Sequence, residues 1–324
     1  MGADLPHQPV LYHEILHALQ PNRGGDYVDG TLGSGGHAWG ILQASQPDGR
    51  LLGLDLDPQA IELARQRLAP FGERAIIIQA SYATLSEQLG RIGWQGVNGM
   101  VLDLGISSMQ IDNAWRGFSF MADAPLDMRF SPHSPVRAAD LVNNLSEEEL
   151  ANLIYRYGEE KRSRQIAHAI VQARPINTTR QLAETILKAS GPMRHKTHLH
   201  PATRTFQALR IEVNQELENL QSVLPQAVNA LLPGGRLAII AFHSLEDRIV
   251  KQYFQRESRD CICPPRQPIC TCGHRAVIQL VTRSPIRPTE EEIAQNPRAR
   301  SAVLRIAEKL PLGSGDVRIP SPRG

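Results

Sequence analysis

The stretch Asp26-Tyr-Val-Asp-Gly-Thr-Leu-Gly-Ser-Gly-Gly-His37 decides the fold class of this chain. It joins a short apolar run to an acidic residue and then to a turn rich in glycine, and a helix-compatible apolar segment begins at Ala38. That order predicts a strand, a glycine loop and a helix, the opening unit of a nucleotide-binding α/β fold. Because glycine-rich turns are common, the pattern alone fits a plain strand-to-helix turn equally well.

A second apolar run, Leu51 to Asp55, also ends in a carboxylate. Asp55 lies about twenty residues beyond the glycine loop, where such folds place an acid on the ribose hydroxyls of the ligand. Asp57-Pro58 then predicts the start of a helix, with Asp57 as the N-cap and proline at the first helical position. The two loops follow neighbouring strands and both carry residue types that bind nucleosides. Together they favour a nucleoside-cofactor site over a plain turn.

Two further strands are predicted, Ala75 to Gln79 and Asn98 to Asp103, and the second again ends in a carboxylate. In open α/β sheets the ligand lies at the carboxyl ends of the strands. The residues predicted for that side of the sheet are Asp29, Asp55, Tyr82 and Asp103. Their coincidence is a stronger indication than any one of them.

Composition excludes several classes of protein. The chain has 324 residues, 41% hydrophobic and 21% charged, which is typical of a globular protein of one or two domains. No apolar run is long enough to span a bilayer, and the N-terminus lacks the basic and apolar regions of a signal peptide. We therefore expect a cytoplasmic protein without a membrane partner. The net charge of +2 does not by itself indicate nucleic acid.

The helical pattern between strands four and five predicts an inserted domain. The predicted order is a first part of the sheet domain (1–111), a helical insert (112–211) and a second part of the sheet domain (212–324). In the last part, a helix from about Glu212 to Leu232 precedes strand five at Arg236 to Phe242. Two late strand-like runs predict a C-terminal β-hairpin. That ending is typical of a methyltransferase sheet, whereas a dehydrogenase more often continues with alternating β and α units.

The insert contains a basic stretch, Ile186 to Ile211, without an acidic residue. A local patch of one sign attracts phosphate, which favours a nucleic-acid contact over an ordinary solvated helix face. The cationic residues of the stretch are Lys188, Arg194, Lys196, Arg204 and Arg210.

All four cysteines lie close together, in Cys261-Ile-Cys263 and Cys270-Thr-Cys272. Four thiols within twelve positions suggest zinc rather than disulfides in a reducing compartment. The spacing is Cys-x-Cys, however, whereas zinc knuckles commonly use Cys-x-x-Cys. Both readings, a zinc site and free thiols on a loop, stay open, and no metal is counted among the expected cofactors.

Taken together, these residues resemble the bacterial ribosomal RNA small subunit methyltransferase H family. The matching motifs span almost the full length and are Tyr27-Val-Asp-Gly-Thr-Leu-Gly-Ser-Gly-Gly-His, Asp103-Leu-Gly-Ile-Ser-Ser, Gly117-Phe-Ser-Phe-Met, Pro125-Leu-Asp-Met-Arg, His200-Pro-Ala-Thr-Arg-Thr-Phe-Gln-Ala-Leu-Arg, Phe242-His-Ser-Leu-Glu-Asp-Arg and Asn296-Pro-Arg-Ala-Arg-Ser. The resemblance implies a Rossmann-like class I methyltransferase sheet with an inserted helical domain.

The resemblance also implies an activity: methyl transfer from S-adenosylmethionine to the exocyclic N4 amine of a cytidine in 16S ribosomal RNA, near the decoding centre. The expected partner is this RNA, within the small ribosomal subunit, and a homodimer is compatible with the sequence. The cofactor contacts carried over by position are Gly35, Gly36, His37, Asp55, Tyr82, Asp103 and Gln110. Tyr82 stands where the family more often has phenylalanine, and its ring can still stack on adenine.

Fold logic adds two candidate catalytic residues. Asp103 follows strand four, where a carboxylate could accept a hydrogen bond from the target amine, although it could equally bind only cofactor or cap its loop. His243 follows strand five and could contact the base or accept a proton, or merely tie its loop to Glu246 or Asp247. Candidate RNA contacts are Arg129, Arg194, Lys196, Arg204 and Arg210.

Two rival interpretations concern the activity. A dehydrogenase is disfavoured because the glycine loop, Gly33-Ser-Gly35-Gly36, is not a clean Gly-x-Gly-x-x-Gly. A non-catalytic RNA-binding assembly factor is disfavoured by the intact acids at every strand end. Related amino methyltransferases place a Pro-Pro-aromatic after the strand-four acid, and Leu104-Gly105-Ile106 stands there instead. Trp115, Phe118 or Phe120 could supply the aromatic that stacks on the base, although a place in the core of the insert is the commoner role for any one of them.

Overall fold

The computed structural model describes residues 9–190, 200–265, 267 and 269–311. The chain divides into two compact units. The first comprises Met1–Asp55, Glu62–Leu104 and Gln221–Gly324, and the second comprises Leu56–Ile61 and Gly105–Leu220. The helical insert was predicted at 112–211, so the second unit takes in somewhat more of the chain on either side of that range.

The first unit is built on a seven-stranded sheet. Its strands are β1 (Asp26–Asp29), β2 (Arg50–Asp55), β3 (Ala75–Gln79), β4 (Val97–Asp103), β5 (Leu231–Ala241), β6 (Ile278–Leu280) and β7 (Val303–Lys309). They lie in the order β3-β2-β1-β4-β5-β7-β6. The pairs among β1 to β5 are parallel, whereas β7 is antiparallel to both β5 and β6. The predicted Rossmann-like methyltransferase sheet, with its late antiparallel pair, is confirmed.

The core of this unit lies along the central strands. Their apolar side chains read as continuous runs because a parallel sheet is covered on both faces. Fully buried examples are Tyr27, Val28, Leu51, Leu52, Leu54, Val101 and Leu102. Removing one such large side chain from water contributes about 1.5–3 kcal/mol. In the register of the sheet, Asp29 of β1 lies opposite Gly53 of β2 and opposite Val101 of β4.

The helices are α1 (Tyr12–Leu19), α2 (Gly36–Ala44), α3 (Pro58–Leu68), α4 (Leu85–Arg91), α5 (Ser108–Asp112), α6 (Ala138–Asn144), α7 (Glu147–Gly158), α8 (Ser163–Gln172), α9 (Thr179–Ser190), α10 (Ala202–Asn214), α11 (Glu216–Ala230), α12 (Ser244–Glu257) and α13 (Glu290–Gln295). In the second unit, α7 packs against α8 and α10, and α8 packs against α9. Gly158 allows the first of these helices to approach α10, since a Cβ there would lie 2.6 Å from the carbonyl oxygen of Arg204. No helix in the described part of the chain has the length and apolar composition that a bilayer-spanning segment needs.

The long helix predicted from Glu212 to Leu232 is wrong in both bounds. Helix α10 continues to Asn214, Gln215 takes a left-handed conformation with φ 50°, and α11 begins afresh at Glu216. The Asn214 carboxamide accepts the Phe130 N–H at 2.7 Å and donates to the Met128 carbonyl at 2.8 Å. These contacts with a distant segment anchor the chain at the break, and local periodicity does not reveal them.

The residues after strand five, Ser244 to Asp247, predict a helix with Ser244 as N-cap and Asp247 at the third position, and helix α12 differs from that prediction at both positions. His243 is the N-cap, and its Nδ1 accepts the Glu246 N–H at 3.4 Å. Glu246 returns a carboxylate to the His243 N–H, which completes a capping box. Asp247 instead pairs with Arg305, at 2.6 and 3.0 Å. Because Arg305 donates to both carboxylate oxygens of Asp247, this side chain is not used to cap the helix.

In the second unit, Ser146 followed by Glu149 three residues later predicts a capping box, and this prediction is confirmed. The sequence also predicts Thr179 as the cap of the next helix, but Thr179 is the first residue of α9. Thr178 accepts the Gln181 N–H at 3.3 Å and so takes the capping role. The hydroxyl of Thr179 donates to the carbonyl of Ala122 at 2.8 Å, because the residue is fully buried and needs a partner.

Candidate active site

The glycine loop after β1 needs glycine at two positions with left-handed backbone. Gly33 has φ 52° and Gly35, the N-cap of α2, has φ 80°. Side chains other than glycine are strained there. The Gly33 N–H donates to Asp55 Oδ2 at 2.8 Å, so the loop after β1 is fastened to the end of β2. A Cβ on Gly33 would meet only the Thr31 carbonyl, at 3.9 Å, which leaves this part of the loop open.

Two other glycines permit close packing. A Cβ on Gly36 would lie 2.4 Å from Pro9 Cγ, and one on Gly30 would lie 2.5 Å from a Leu102 methyl and 3.3 Å from Tyr82 Cβ. Tyr82 follows β3 in a short 3-10 turn and is partly exposed. The predicted aromatic therefore lies beside the end of β1.

Asp29 ends β1 and is almost wholly buried, with 1% exposure. Burial raises the pKa of its carboxyl to about 7, and the charge of Asp55 adds to that rise. The N–H groups of Thr31 and Ala38 donate to it and oppose the rise. The sequence places Asp29 on the ligand side, but apolar spacing cannot reveal that it holds its proton near neutral pH.

His37, one residue into α2, is also buried. Its Nε2 lies 3.1 Å from the Val10 carbonyl oxygen, and because a carbonyl only accepts, Nε2 carries the proton. Burial lowers the pKa of His37 to about 4, so the imidazole is neutral at physiological pH. Its Nδ1 then presents a lone pair towards Asp103 Oδ2, 3.9 Å away, which is too long for a hydrogen bond.

Asp103 ends β4 at the same edge of the sheet. Its N–H donates to the Thr31 hydroxyl at 2.6 Å, which fixes the backbone. A quarter of the side chain reaches solvent, yet Oδ1 is buried and has no hydrogen-bond partner among the described residues. A buried carboxylate oxygen without a donor costs free energy, so its presence in a folded chain points to a ligand or a proton.

The electrostatic surroundings of Asp103 favour the proton in the free protein. Burial raises its pKa well above the ordinary value, and the charges of Asp29 and Glu246 raise it further. The neutral His37 offers no compensating positive charge. A cation or an N–H donor brought to Oδ1 would supply the missing partner.

His243 lies at the edge predicted for it, since β5 is the parallel neighbour of β4. Its side chain is 9% exposed, and its Nε2 lies 3.2 Å from Glu246 Oε1. The other oxygen of Glu246 accepts the N–H groups of Phe242 and His243. The backbone of the loop is therefore tied to Glu246, whereas His243 Nε2 is buried without a hydrogen-bond partner among the described residues, and a catalytic role of His243 stays a prediction.

Gln110 belongs to the second unit. Its Oε1 accepts the Ser107 N–H at 3.1 Å, and its Nε2 donates to Asp57 Oδ2, also at 3.1 Å. The same Asp57 oxygen receives the Arg116 guanidinium at 2.7 Å. Asp57 also accepts the Gln59 N–H as the predicted helix cap. Sequence reasoning did not single out Arg116, and a cofactor contact of Gln110 stays a prediction.

The residues named as RNA contacts differ in their surroundings. Arg129 pairs with Asp127 at 2.8 Å and donates to two backbone carbonyls. Arg210 makes a bidentate pair with Glu216 and is 13% exposed. Arg204 is half exposed, while Arg194 and Lys196 lie outside the described residues. Among the described three, only Arg204 presents substantial surface.

The three aromatic residues considered for base stacking differ in their packing and exposure. Phe118 stacks on Phe130 at 5.6 Å between ring centroids, and Phe120 packs against Phe206 at 5.0 Å. Trp115 is 76% exposed, and it lines a pocket of about 520 Å³ in the second unit. Of the three, Trp115 alone offers a free aromatic face.

These residues fit S-adenosylmethionine. The ligand carries positive charges on its sulfonium and ammonium groups and hydroxyl donors on its ribose. The first unit supplies an unpartnered acceptor on Asp103, a carboxylate at Asp55 and an open, positive-φ glycine loop. These acidic acceptors suit a cationic nucleoside better than an anionic pyrophosphate.

Comparison with known proteins identifies the family. The model of the MraW methylase family matches residues 4–310. A ribosomal RNA small subunit methyltransferase H from a Geobacter species is 53% identical over 310 residues, covering 95% of this chain and 99% of that protein. The protein of the same name from Dehalococcoides mccartyi is 50% identical over 307 residues, covering 95% and 87%. The resemblance found in the sequence is confirmed: this chain belongs to the MraW methylase family, and S-adenosylmethionine is its methyl donor.

Proposed function

We propose that this protein transfers a methyl group from S-adenosylmethionine to the exocyclic N4 amine of a cytidine in small-subunit ribosomal RNA, near the decoding centre. The names of relatives half identical to the chain support ribosomal RNA as the substrate class. The cytosine amine follows from the motifs of the resemblance. The proposed setting is the cytoplasm, with the RNA inside the small subunit.

The observation that carries this proposal is the unpartnered, buried oxygen of Asp103 at the end of β4. The lone pair of a cytosine amine is delocalised into the ring, so the amine is a poor nucleophile. A carboxylate that accepts one amine N–H draws the nitrogen towards sp3 geometry and receives the charge that develops during transfer. S-adenosylmethionine supplies an activated methyl group.

Other groups of the site act on Asp103. His37 is neutral, so it gives Asp103 no positive charge, and the proton that Asp103 must give up before the carboxylate accepts an N–H leaves to solvent, which a quarter of the side chain reaches. Thr31 holds the backbone of Asp103, and the contact of Gly33 with Asp55 holds the glycine loop that would bind the cofactor. Positioning of this kind lowers the activation free energy by several kcal/mol.

The proposed substrate is tested by mapping methylated cytidines. Ribosomal RNA from cells with and without this protein is digested and analysed by mass spectrometry for N4-methylcytidine. We expect one modified position to disappear with the protein and to return with its gene. An unchanged N4-methylcytidine pattern, or loss of a methyl group at another atom, would contradict the proposed specificity.

His243 is expected to act as a positioning residue through Glu246. His243→Ala removes the cap of α12, which should lower the free energy of unfolding by about 1 kcal/mol and reduce methyl transfer in step. His243→Asn is the matched variant because asparagine is a strong N-cap, and it should restore most of both properties. Thermal unfolding and single-turnover rates against pH measure them. A stable but slow asparagine variant with an altered pH profile would reveal a proton acceptor instead.

Trp115 is expected to stack on a base of the RNA. Stacking contributes about 1–3 kcal/mol per base, so Trp115→Ala should weaken RNA binding roughly 5- to 150-fold. Met121→Ala is the control, since Met121 is an exposed apolar residue of the same unit without an aromatic face. Trp115→Phe should recover part of the affinity. Equal affinities of the two alanine variants would exclude the stacking role.

A further inference from the structure

The segment between α12 and β6 has almost no apolar core of its own. None of its described residues from 259 to 277 is buried, and none of them belongs to a helix or strand. Its ends are fastened where the Val277 N–H donates to the Glu257 carbonyl at 2.9 Å and the Ala276 N–H donates to Asp260 at 3.3 Å. An exposed loop of this length requires another source of stability if it is to hold one conformation.

The four cysteine sulfurs converge inside this loop. Cys270 and Cys272 Sγ are 3.6 Å apart, and the pairs 263–270 and 261–272 are each 3.9 Å apart. All four sulfurs lie within 4.8 Å of one another. Four thiolates at the usual zinc–sulfur distance of about 2.3 Å stand about 3.8 Å apart at the corners of a tetrahedron. Three of the separations lie close to that figure and the other three stay within 4.8 Å, although the cysteine spacing differs from the common knuckle.

Backbone N–H groups also point at one sulfur of the cluster. The Ile262 N–H lies 3.5 Å from Cys272 Sγ. Gly273 has φ 62°, so the chain reverses directly after Cys272 and the His274 N–H also reaches that sulfur. Amide donors to sulfur stabilise metal-bound thiolates and orient them. A pair of disulfides would instead bring the sulfurs into two bonded pairs about 2.05 Å apart, with no reason for all four to converge.

We propose that Cys261, Cys263, Cys270 and Cys272 bind one zinc ion in a tetrahedral site that stabilises the loop between α12 and β6. The cysteines fill all four positions, so the site is closed and structural rather than catalytic. Sulfur ligands in this geometry select a soft metal over magnesium or calcium. The site belongs to the loop and is independent of the proposed methyl transfer.

The test uses the full chain, purified with reductant and without chelator. Metal analysis by mass spectrometry is expected to find one zinc per chain, or to do so after incubation with zinc salt and removal of the excess. Each single Cys→Ser variant should lose that zinc. His274→Ala is the matched control, because His274 lies in the same loop outside the sulfur cluster, and it should keep the metal.

The wild-type chain also provides a test that does not depend on folding of a variant. A mercurial thiol reagent should release zinc in proportion to the cysteines it modifies, followed with a zinc-binding dye. Cobalt loaded into the stripped protein should show the visible absorption of tetrahedral cobalt thiolate. Absence of zinc after reconstitution, with four freely reactive thiols, would overturn the proposal. An intact mass lower by four hydrogens, which indicates two disulfides, would overturn it too.

Discussion

Asp103→Asn is expected to lower single-turnover methyl transfer by roughly 10²- to 10⁴-fold, the range of a positioned proton acceptor. It is also expected to raise the free energy of unfolding near neutral pH. Burial and the charges of Asp29 and Glu246 make the ionised form of Asp103 unfavourable, and asparagine keeps its shape without that charge. This one substitution should therefore raise stability while it lowers activity.

The sign of the pH dependence follows from the raised pKa. Below the ordinary carboxyl value of 3.8, Asp103 is protonated in both folded and unfolded chains, and asparagine gains nothing. As pH rises towards the folded pKa, the unfolded chain ionises first, so the wild type loses stability and the advantage of the variant grows. Over the same range the wild-type transfer rate should rise as the carboxylate forms.

Chemical denaturation at several pH values and single-turnover assays measure the two effects. Asp48→Asn is the control, since Asp48 is an exposed acid whose pKa is lowered by Arg23, and it should leave the transfer rate unchanged. Retained transfer in Asp103→Asn would remove the residue from the chemistry. A variant less stable than the wild type at neutral pH would contradict the unfavourable buried charge.

The second large effect concerns Asp55. Asp55→Ala is expected to weaken S-adenosylmethionine binding by about 1–3 kcal/mol, roughly 5- to 150-fold, because the ribose hydroxyls lose a charged acceptor. The substitution also takes the acceptor from the Gly33 N–H, so part of the loss arises from the loop. Isothermal calorimetry measures the affinity directly.

Asp55→Asn distinguishes the two contributions. Its side-chain oxygen can still accept the Gly33 N–H, so the loop should keep its shape while the ribose loses one acceptor. We expect an affinity between those of the wild type and the alanine variant, with unfolding of the free protein unchanged. Equal affinity of Asp55→Ala and the wild type would leave Asp55 as a support of the glycine loop alone.

The sequence predicted the sheet and its ligand edge because both depend on local pattern. Apolar runs that end in Asp29, Asp55 and Asp103 need no knowledge of distant contacts, and parallel strands bring their ends together. The proton on Asp29 near neutral pH was not predictable, since it depends on complete burial and on the charge of Asp55.

Features that depend on distant partners were missed. The break at Gln215 accompanies contacts of Asn214 with Met128 and Phe130, more than eighty residues away in the chain. The cysteines gave an ambiguous signal because spacing along the chain does not report the distances between sulfurs. Exposure, which separates Trp115 from Phe118, likewise follows only from the packed structure.

The position of β7 has a consequence for synthesis on the ribosome. This strand pairs with both β5 and β6, yet its residues, Val303–Lys309, come later in the chain than either of them. The residues of the helical unit leave the ribosome before those of β5, and they form a compact unit of their own, so that unit can fold while translation continues. The sheet of the first unit cannot be completed until β7 has been synthesised. Until the last strand emerges, β5 presents an open edge, and translation itself sets the earliest moment at which the methyltransferase sheet can be complete.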